Sequence, residues 1–232
     1  MLKKETREIL KLLLPISESA ILKYPITNIN SFQKDIIAFI DLKSLGESQF
    51  EEFGIYKLAE FLQLLDLFPD SEITLNNGVI IIQNDKITQR YLTTHIDNLK
   101  DNFDIPDTIL KKISEAPKVA EIDIEKKDLE NIKKISSLLK LMDLNIESKN
   151  KELSFIINNK SNPEMNSQKI KVNSAKIYED FKIILDIEAI QKIPTTSYKI
   201  TIARNKKTGS YITLWELKKL LFLKIVISTK IF

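Results

Sequence analysis

A strand led by phenylalanine runs straight into an amphipathic helix twice in this chain, as FEEFGIYKLAEFL at 50–62 and as FKIILDIEAIQKI at 181–193. Around both copies the elements read in one order: helix, three strands, helix, strands. The offset of roughly 125–130 residues is far longer than the ~20–50-residue period of solenoid repeats, so a whole domain is duplicated. This constrains the chain to two similar domains, each mixing helices with strands. The expected domains are 1–115 and 116–232, joined over about 98–118. There two prolines and mixed charge blur the pattern, leaving one helical turn at DTILKKI.

The first helix, within KKETREILKLLL, stops at Pro15, which cannot continue it. Leu2, Ile9 and Leu13 share one face, flanked by Leu10 and Leu12; Lys4, Arg7 and Lys11 lie opposite, with Glu8 at the edge. Strands are expected in SESAILKY (17–24), FQKDIIAFIDLK (32–43) and FEEFGIY (50–56). A second helix follows, with Leu58, Phe61, Leu62, Leu65 and Phe68 as its apolar face. Asn77-Gly78 then sets a hairpin between two β-rich runs. In the second half, VAEIDIE (119–125) leads into a long helix over 126–142. Ile132, Ile135, Leu139 and Met142 form its apolar face; Lys126, Lys133 and Lys140 run down the other side with Lys134 beside them, and Glu130 interrupts the stripe. Strands NIES, ELSFIINN, KIKVNSAKIY and FKIILDI, the short helix EAIQKI and further strands complete the chain.

A single lysine-rich helix face is ordinarily just solvated. Two at equivalent places of a duplicated domain put a polyanion-facing surface level with the solvated reading, because solvation alone gives no reason for both to hold so few acids. The net charge of +3, from 35 basic against 32 acidic residues, confines any such surface to one place.

The residues needed for catalysis are scarce. No cysteine is present, which excludes thiolate sites and disulfides. His95, the only histidine, leaves no pair for a metal and sits in the polar stretch YLTTHID, where a surface or interface histidine is expected over a general base. Four glycines build no phosphate-cradling loop. Glu121, Asp123, Glu125 and Asp128 could hold magnesium, but the first three alternate with Ile122 and Ile124 as the wet face of a strand, and Asp128 suits the first turn of a helix. No catalytic residue, metal or cofactor is therefore expected. No apolar run approaches the ~20 residues that span a bilayer and no signal-peptide core precedes Pro15, so a soluble intracellular protein is expected.

Several stretches, LKKETREILKLLLPISESAILK, FGIYKLAEFLQLLDLF with its IY-x-L-x-x-FL-x-x-L spacing, SEITLNNGVIIIQNDK, EIDIEKKDLENIKKISSLL and DIEAIQKIPTTSYKITI, resemble the sliding clamps, or DNA polymerase processivity factors, of T-even-type tailed phages. They cover most of the chain, and none is a catalytic signature. The resemblance implies an α+β DNA-clamp fold, two similar domains each with two helices packed on antiparallel sheet, assembling as a closed ring of three subunits with helices around the hole and sheets outside. It further implies loading onto duplex DNA by an ATP-driven clamp loader, tethering of the replicative polymerase, a platform role in phage late transcription, and residence in the cytoplasm of an infected bacterium. The DNA-facing residues would be Lys4, Arg7, Lys11, Lys126, Lys133, Lys134 and Lys140, flanked by Lys3 and Lys127. The chain departs from the family at its end, SYITLWELKKLLFLKIVISTKIF, where LKKLLF lacks the residues a tight turn prefers. Trp215 is read as core or as part of a partner-peptide pocket. The alternatives are a phage assembly β-protein without DNA contact, or a magnesium-dependent nuclease.

Overall fold

A computed structural model describes residues 2–69, 71–103, 105–106, 108–159, 167–172, 174–205, 208–218 and 222–230. The chain divides into two compact units, Met1–Pro106 and Asp107–Phe232. That division falls inside the expected connection, which is more ordered than one helical turn. It holds two helices, α3 (Asp97–Phe103) and α4 (Thr108–Glu115), which belong to different units.

In the first unit, α1 (Lys4–Leu12) precedes four strands, β1 (Ala20–Leu22), β2 (Ile26–Asn30), β3 (Ile36–Asp41) and β4 (Phe53–Ile55). All pair antiparallel, in the order β3-β2-β1-β4. Helix α2 (Leu58–Leu67) then leads to β5 (Glu72–Asn76), β6 (Val79–Gln83) and β7 (Thr88–Leu92), a three-stranded antiparallel sheet. Asn77 and Gly78 join β5 to β6 with φ of 49° and 74°, as a two-residue primed turn requires. The faces read from hydropathy hold in their centres, while Leu12 on the expected flank of α1 is 48% exposed and Phe68, expected on the face of α2, is only half-buried. Leu2, Ile9, Leu10 and Leu13 are buried, as are Leu58, Phe61, Leu62 and Leu65. Phe61 ties α2 to both sheets, with ring centroids 6.4 Å from Phe53 and 5.1 Å from Tyr91.

Strand β2 was not anticipated. Its sequence, ITNIN, lacks the apolar alternation of a half-buried strand, yet Thr27, Asn28, Ile29 and Asn30 are all buried. Thr27 Oγ1 donates to the Ile21 carbonyl at 2.8 Å, and Asn28 Nδ2 to that of Ile105 at 3.2 Å, just past α3. These two donors are tolerated because main-chain carbonyls take them up, whereas Asn28 Oδ1 is buried with no hydrogen-bond partner among the described residues.

The second unit repeats the plan. After α4 and β8 (Lys118–Ile124) comes α5 (Lys126–Leu139), then β9 (Asp143–Lys149), β10 (Glu152–Asn158), β11 (Gln168–Val172), β12 (Ala175–Ile177) and β13 (Phe181–Asp186). The order β11-β10-β9-β13 matches β3-β2-β1-β4: third, second, first, last. Helix α6 (Ile187–Lys192), capped by Asp186 accepting from the Glu188 N–H at 2.9 Å, leads to β14 (Tyr198–Arg204), β15 (Tyr211–Leu217) and β16 (Leu223–Ser228). Here the meander is extended by β8 and β12, in the order β12-β8-β14-β15-β16. The single strand expected in KIKVNSAKIY is in fact two, β11 and β12, in different sheets.

Trp215 belongs to the core. It is fully buried, stacks edge-on against Tyr198 at 5.5 Å, and donates from Nε1 to Thr213 Oγ1 at 2.9 Å. The closing strand exists as β16, in register with β15 from Ile212↔Ser228 to Glu216↔Lys224. Residues 219–221 of the LKKLLF turn lie outside the described residues.

Candidate nucleic-acid interface

The first basic stripe lies on α1, whose N-terminus lacks a local capping side chain. Glu47 supplies one from a distant loop, accepting from the Lys3 N–H at 2.6 Å and from the Thr6 hydroxyl. The three cations then part company. Lys4 is exposed and makes no ion pair among the described residues. Lys11 lies 2.7 Å from both Asp66 and Glu8, and these hydrogen bonds, Asp66 foremost, raise its pKa. Arg7 is only 8% exposed; its Nη1 donates to the Leu65 carbonyl at 2.8 Å and lies 3.7 Å from Asp66. Asp66 sits in the last turn of α2, where the helix dipole disfavours an acid and no basic residue of that helix offsets it. That misplaced acid is the sequence signal that two cations of α1 turn toward α2.

The second stripe is set differently from its reading on a helical wheel. Helix α5 buries Leu129, Ile132 and Ser136, leaving Ile135 and Leu139 half-buried and Met142 57% exposed. The expected apolar face of Ile132, Ile135, Leu139 and Met142 is thus rotated from the true one. The cause is α6. Gln191 Nε2 donates to Ser136 Oγ at 3.0 Å and to the Lys133 carbonyl at 2.9 Å, and the small serine admits that approach. Hydropathy alone would place Ser136 in water.

The rotation changes which lysines are open. Lys133 lies on the flank toward α6, where Nζ meets the carbonyls of Ile193 at 2.6 Å and Gln191 at 3.3 Å and the Thr195 hydroxyl at 3.0 Å. Burial pushes its pKa down to about 8, so at neutral pH the ammonium persists with an acceptor for each of its three N–H bonds. Lys126 is exposed, 3.7 Å from Glu130. Lys134 is exposed, and Lys140, also exposed, closes the helix in the left-handed region at φ 53°. Lys127, expected only as a flanking residue, lies with Lys134 opposite the buried strip. Leu138, one turn beyond Lys134, is 80% exposed.

The acidic run on β8 is occupied by cations and hydroxyls of its own unit. Glu121 accepts from Tyr178 Oη at 2.7 Å, and Lys199 and Lys118 lie at 2.9 and 3.0 Å. These hydrogen bonds, with Tyr178 the largest cause, lower its pKa to about 2. Glu125 accepts from Ser197 at 2.8 Å and from Lys218 at 2.7 Å, and Lys218 also lies 3.2 Å from Asp123. Among the described residues no group of three or more His, Asp or Glu side chains is placed to hold a metal ion. His95 is exposed, 3.3 Å from Asp97. No helix among the described residues is long and apolar enough to cross a membrane.

No protein-family model and no curated protein sequence matches the chain. Solved structures do. Proliferating Cellular Nuclear Antigen from Entamoeba histolytica superposes with a TM-score of 0.67 at 12% identity, over 97% of this chain and 94% of that one. A chain of the PCNA2-PCNA3 complex from Sulfolobus tokodaii gives 0.64 at 10% identity, over 97% and 95%. The beta chain of DNA polymerase III from Streptococcus pneumoniae gives 0.66 at 13% identity, over 97% of this chain and 63% of that one. The chain therefore has the DNA-clamp fold.

Proposed function

We propose that this chain is a non-enzymatic sliding clamp, a ring subunit that encircles duplex DNA without reading its sequence and tethers a replicative DNA polymerase. The observation that carries the reading is the repeated unit itself. Each copy pairs two helices, and the first helix of each pair turns to water lysine that makes no ion pair among the described residues: Lys4 on α1, and Lys127 and Lys134 on α5. Phosphate contacts carry no base information, so such a surface attracts duplex and still permits sliding. Lysine suits this role, being a hydrated point charge on a flexible stem that sets no register. A likeness in fold to the beta chain of a DNA polymerase supports the polymerase as partner.

The finer reading follows the resemblance to T-even-type phage clamps. Three identical subunits close the ring, an ATP-driven loader places it on DNA, and it serves late transcription in the cytoplasm of the infected bacterium. Lasting association then comes from topology, and the charge contributes only a weak, salt-sensitive attraction.

The test is retention on nicked circular DNA and on linearised DNA of the same sequence, at moderate salt with loader and ATP supplied. A clamp persists on the circle and runs off the ends once it is cut. Equal retention on both, or strong preference for one sequence, overturns the proposal.

A further inference from the structure

Arg7 and Lys133 occupy matching places. Each stands on the first helix of a packed pair and reaches the C-terminal turn of the second, Arg7 on α1 at the Leu65 carbonyl of α2 and Lys133 on α5 at the Gln191 and Ile193 carbonyls that end α6. The last carbonyls of a helix lack intrahelical partners and carry the negative end of its dipole, so a cation there is doubly favoured. Both side chains are largely withdrawn from water. All three N–H bonds of Lys133 are engaged, while Arg7 Nε is buried without a hydrogen-bond partner among the described residues. Lys127 and Lys134 are the reverse: exposed, seven residues apart on one face, and free of ion pairs among the described residues.

We infer that Arg7 and Lys133 are matched cross-helix caps that do not bind phosphate, and that the nucleic-acid-facing charge of the second unit is centred on Lys127 and Lys134. This rests on the clamp reading for its second half only. A cap must keep its hydrogen bonds whether or not DNA is present, since several bonds to one charged group outweigh a single contact screened by salt. A phosphate-facing lysine needs the opposite, an ammonium with no competing acceptor. The two roles divide the basic residues of one stripe.

Two charge-removing pairs separate the roles: Lys127→Gln with Lys134→Gln, and Arg7→Met with Lys133→Met. For each, the slope of log K against log salt is measured on a short duplex, together with the melting temperature. Removing Lys127 and Lys134 is expected to flatten the slope, by up to about 1.8 if each meets one phosphate, and to leave melting almost unchanged. Removing Arg7 and Lys133 is expected to lower melting by several degrees while the slope stays at its wild-type value. Arg7→Lys with Lys133→Arg should restore most of the lost melting temperature. If the methionine pair does not fold, the capping role is supported, and Lys133→Gln alone, which keeps a donor for Ile193, supplies the slope. A flattened slope with unchanged melting in the methionine pair or in Lys133→Gln overturns the inference. Wild-type protein that binds no duplex at low salt overturns the clamp reading, and the melting comparison still decides the caps.

Discussion

The backbone N–H of Thr94 donates to the carbonyl oxygen of Gly54 at 2.9 Å. The segment after β7 thereby crosses β4 so closely that a Cβ on Gly54 would stand 2.9 Å from the Thr94 carbonyl oxygen and 3.2 Å from Leu99. The obstructing atom is main chain and cannot swing aside. Gly54→Ala is expected to destabilise the first unit by about 1–3 kcal/mol through overpacking, read from urea unfolding. A neutral effect would mean that this crossing is looser than described.

The setting of α5 gives a paired test. Ile132 is fully buried and Ile135 is half-buried, although both lie on the apolar face that hydropathy assigns. Ile132→Ala should cost about 2–5 kcal/mol, as truncation of a core isoleucine does, and Ile135→Ala roughly half of that or less. Equal costs would restore the helical-wheel face. Leu62→Ala, on the correctly read face of α2, should fall with Ile132→Ala.

Glu121 makes the second unit acid-sensitive in a defined window. Its carboxyl titrates at about 2 when folded, against an ordinary value of 4.5, so the folded state binds fewer protons between those limits. The stabilisation is complete above pH 4.5 and disappears as pH falls toward 2. Allowing for two lysine partners that are each about half exposed, it amounts to about 1–2 kcal/mol. Stability followed from pH 6 to pH 2.5 should fall less steeply in Glu121→Gln than in wild type. Parallel curves would show that the cluster contributes nothing.

Thr213 links Trp215 to the final strand: it accepts from the indole Nε1 at 2.9 Å and donates to the Ile227 carbonyl at 2.8 Å. Thr213→Val keeps the shape and strands a buried indole N–H, at a cost of about 1–3 kcal/mol. Thr213→Ser keeps the hydroxyl and should lose less. Guanidinium unfolding followed by tryptophan fluorescence distinguishes them, and a valine variant as stable as the serine one would remove the chain Trp215–Thr213–Ile227 from the account of this core.

Much of the fold was legible because it depends on local chemistry. The apolar spacing of Leu58, Phe61, Leu62 and Leu65 marks one face of a helix in any context, and Asn77-Gly78 favours a primed turn wherever it occurs. The duplication was legible too, since element order survives when identity does not. Its sharpest expression was not. After β7, Thr94 bonds to Gly54 of β4; two residues after β16, Lys230 bonds to Ile184 of β13 in the same way. Neither pair of residues resembles the other.

The candidate site was legible as a place and not as a set of residues. Sequence by itself determined that α1 and α5 each carry a basic side backed by an apolar one, because period and charge are properties of the helix alone. It also determined the hairpin and the shortage of groups that could do chemistry. Only the tertiary structure decided that β2 is a strand, since Thr27 and Asn28 become buriable once Ile21 and Ile105 offer carbonyls. It decided the rotation of α5, through the contact of Gln191 with Ser136. It also divided the lysines and arginine, because a cation on the flank of a helix can face water or a neighbouring helix end. For Arg7 and Lys133 the carbonyls at the ends of α2 and α6, which lack intrahelical partners, lie within hydrogen-bond reach, and that proximity is a property of the packed fold.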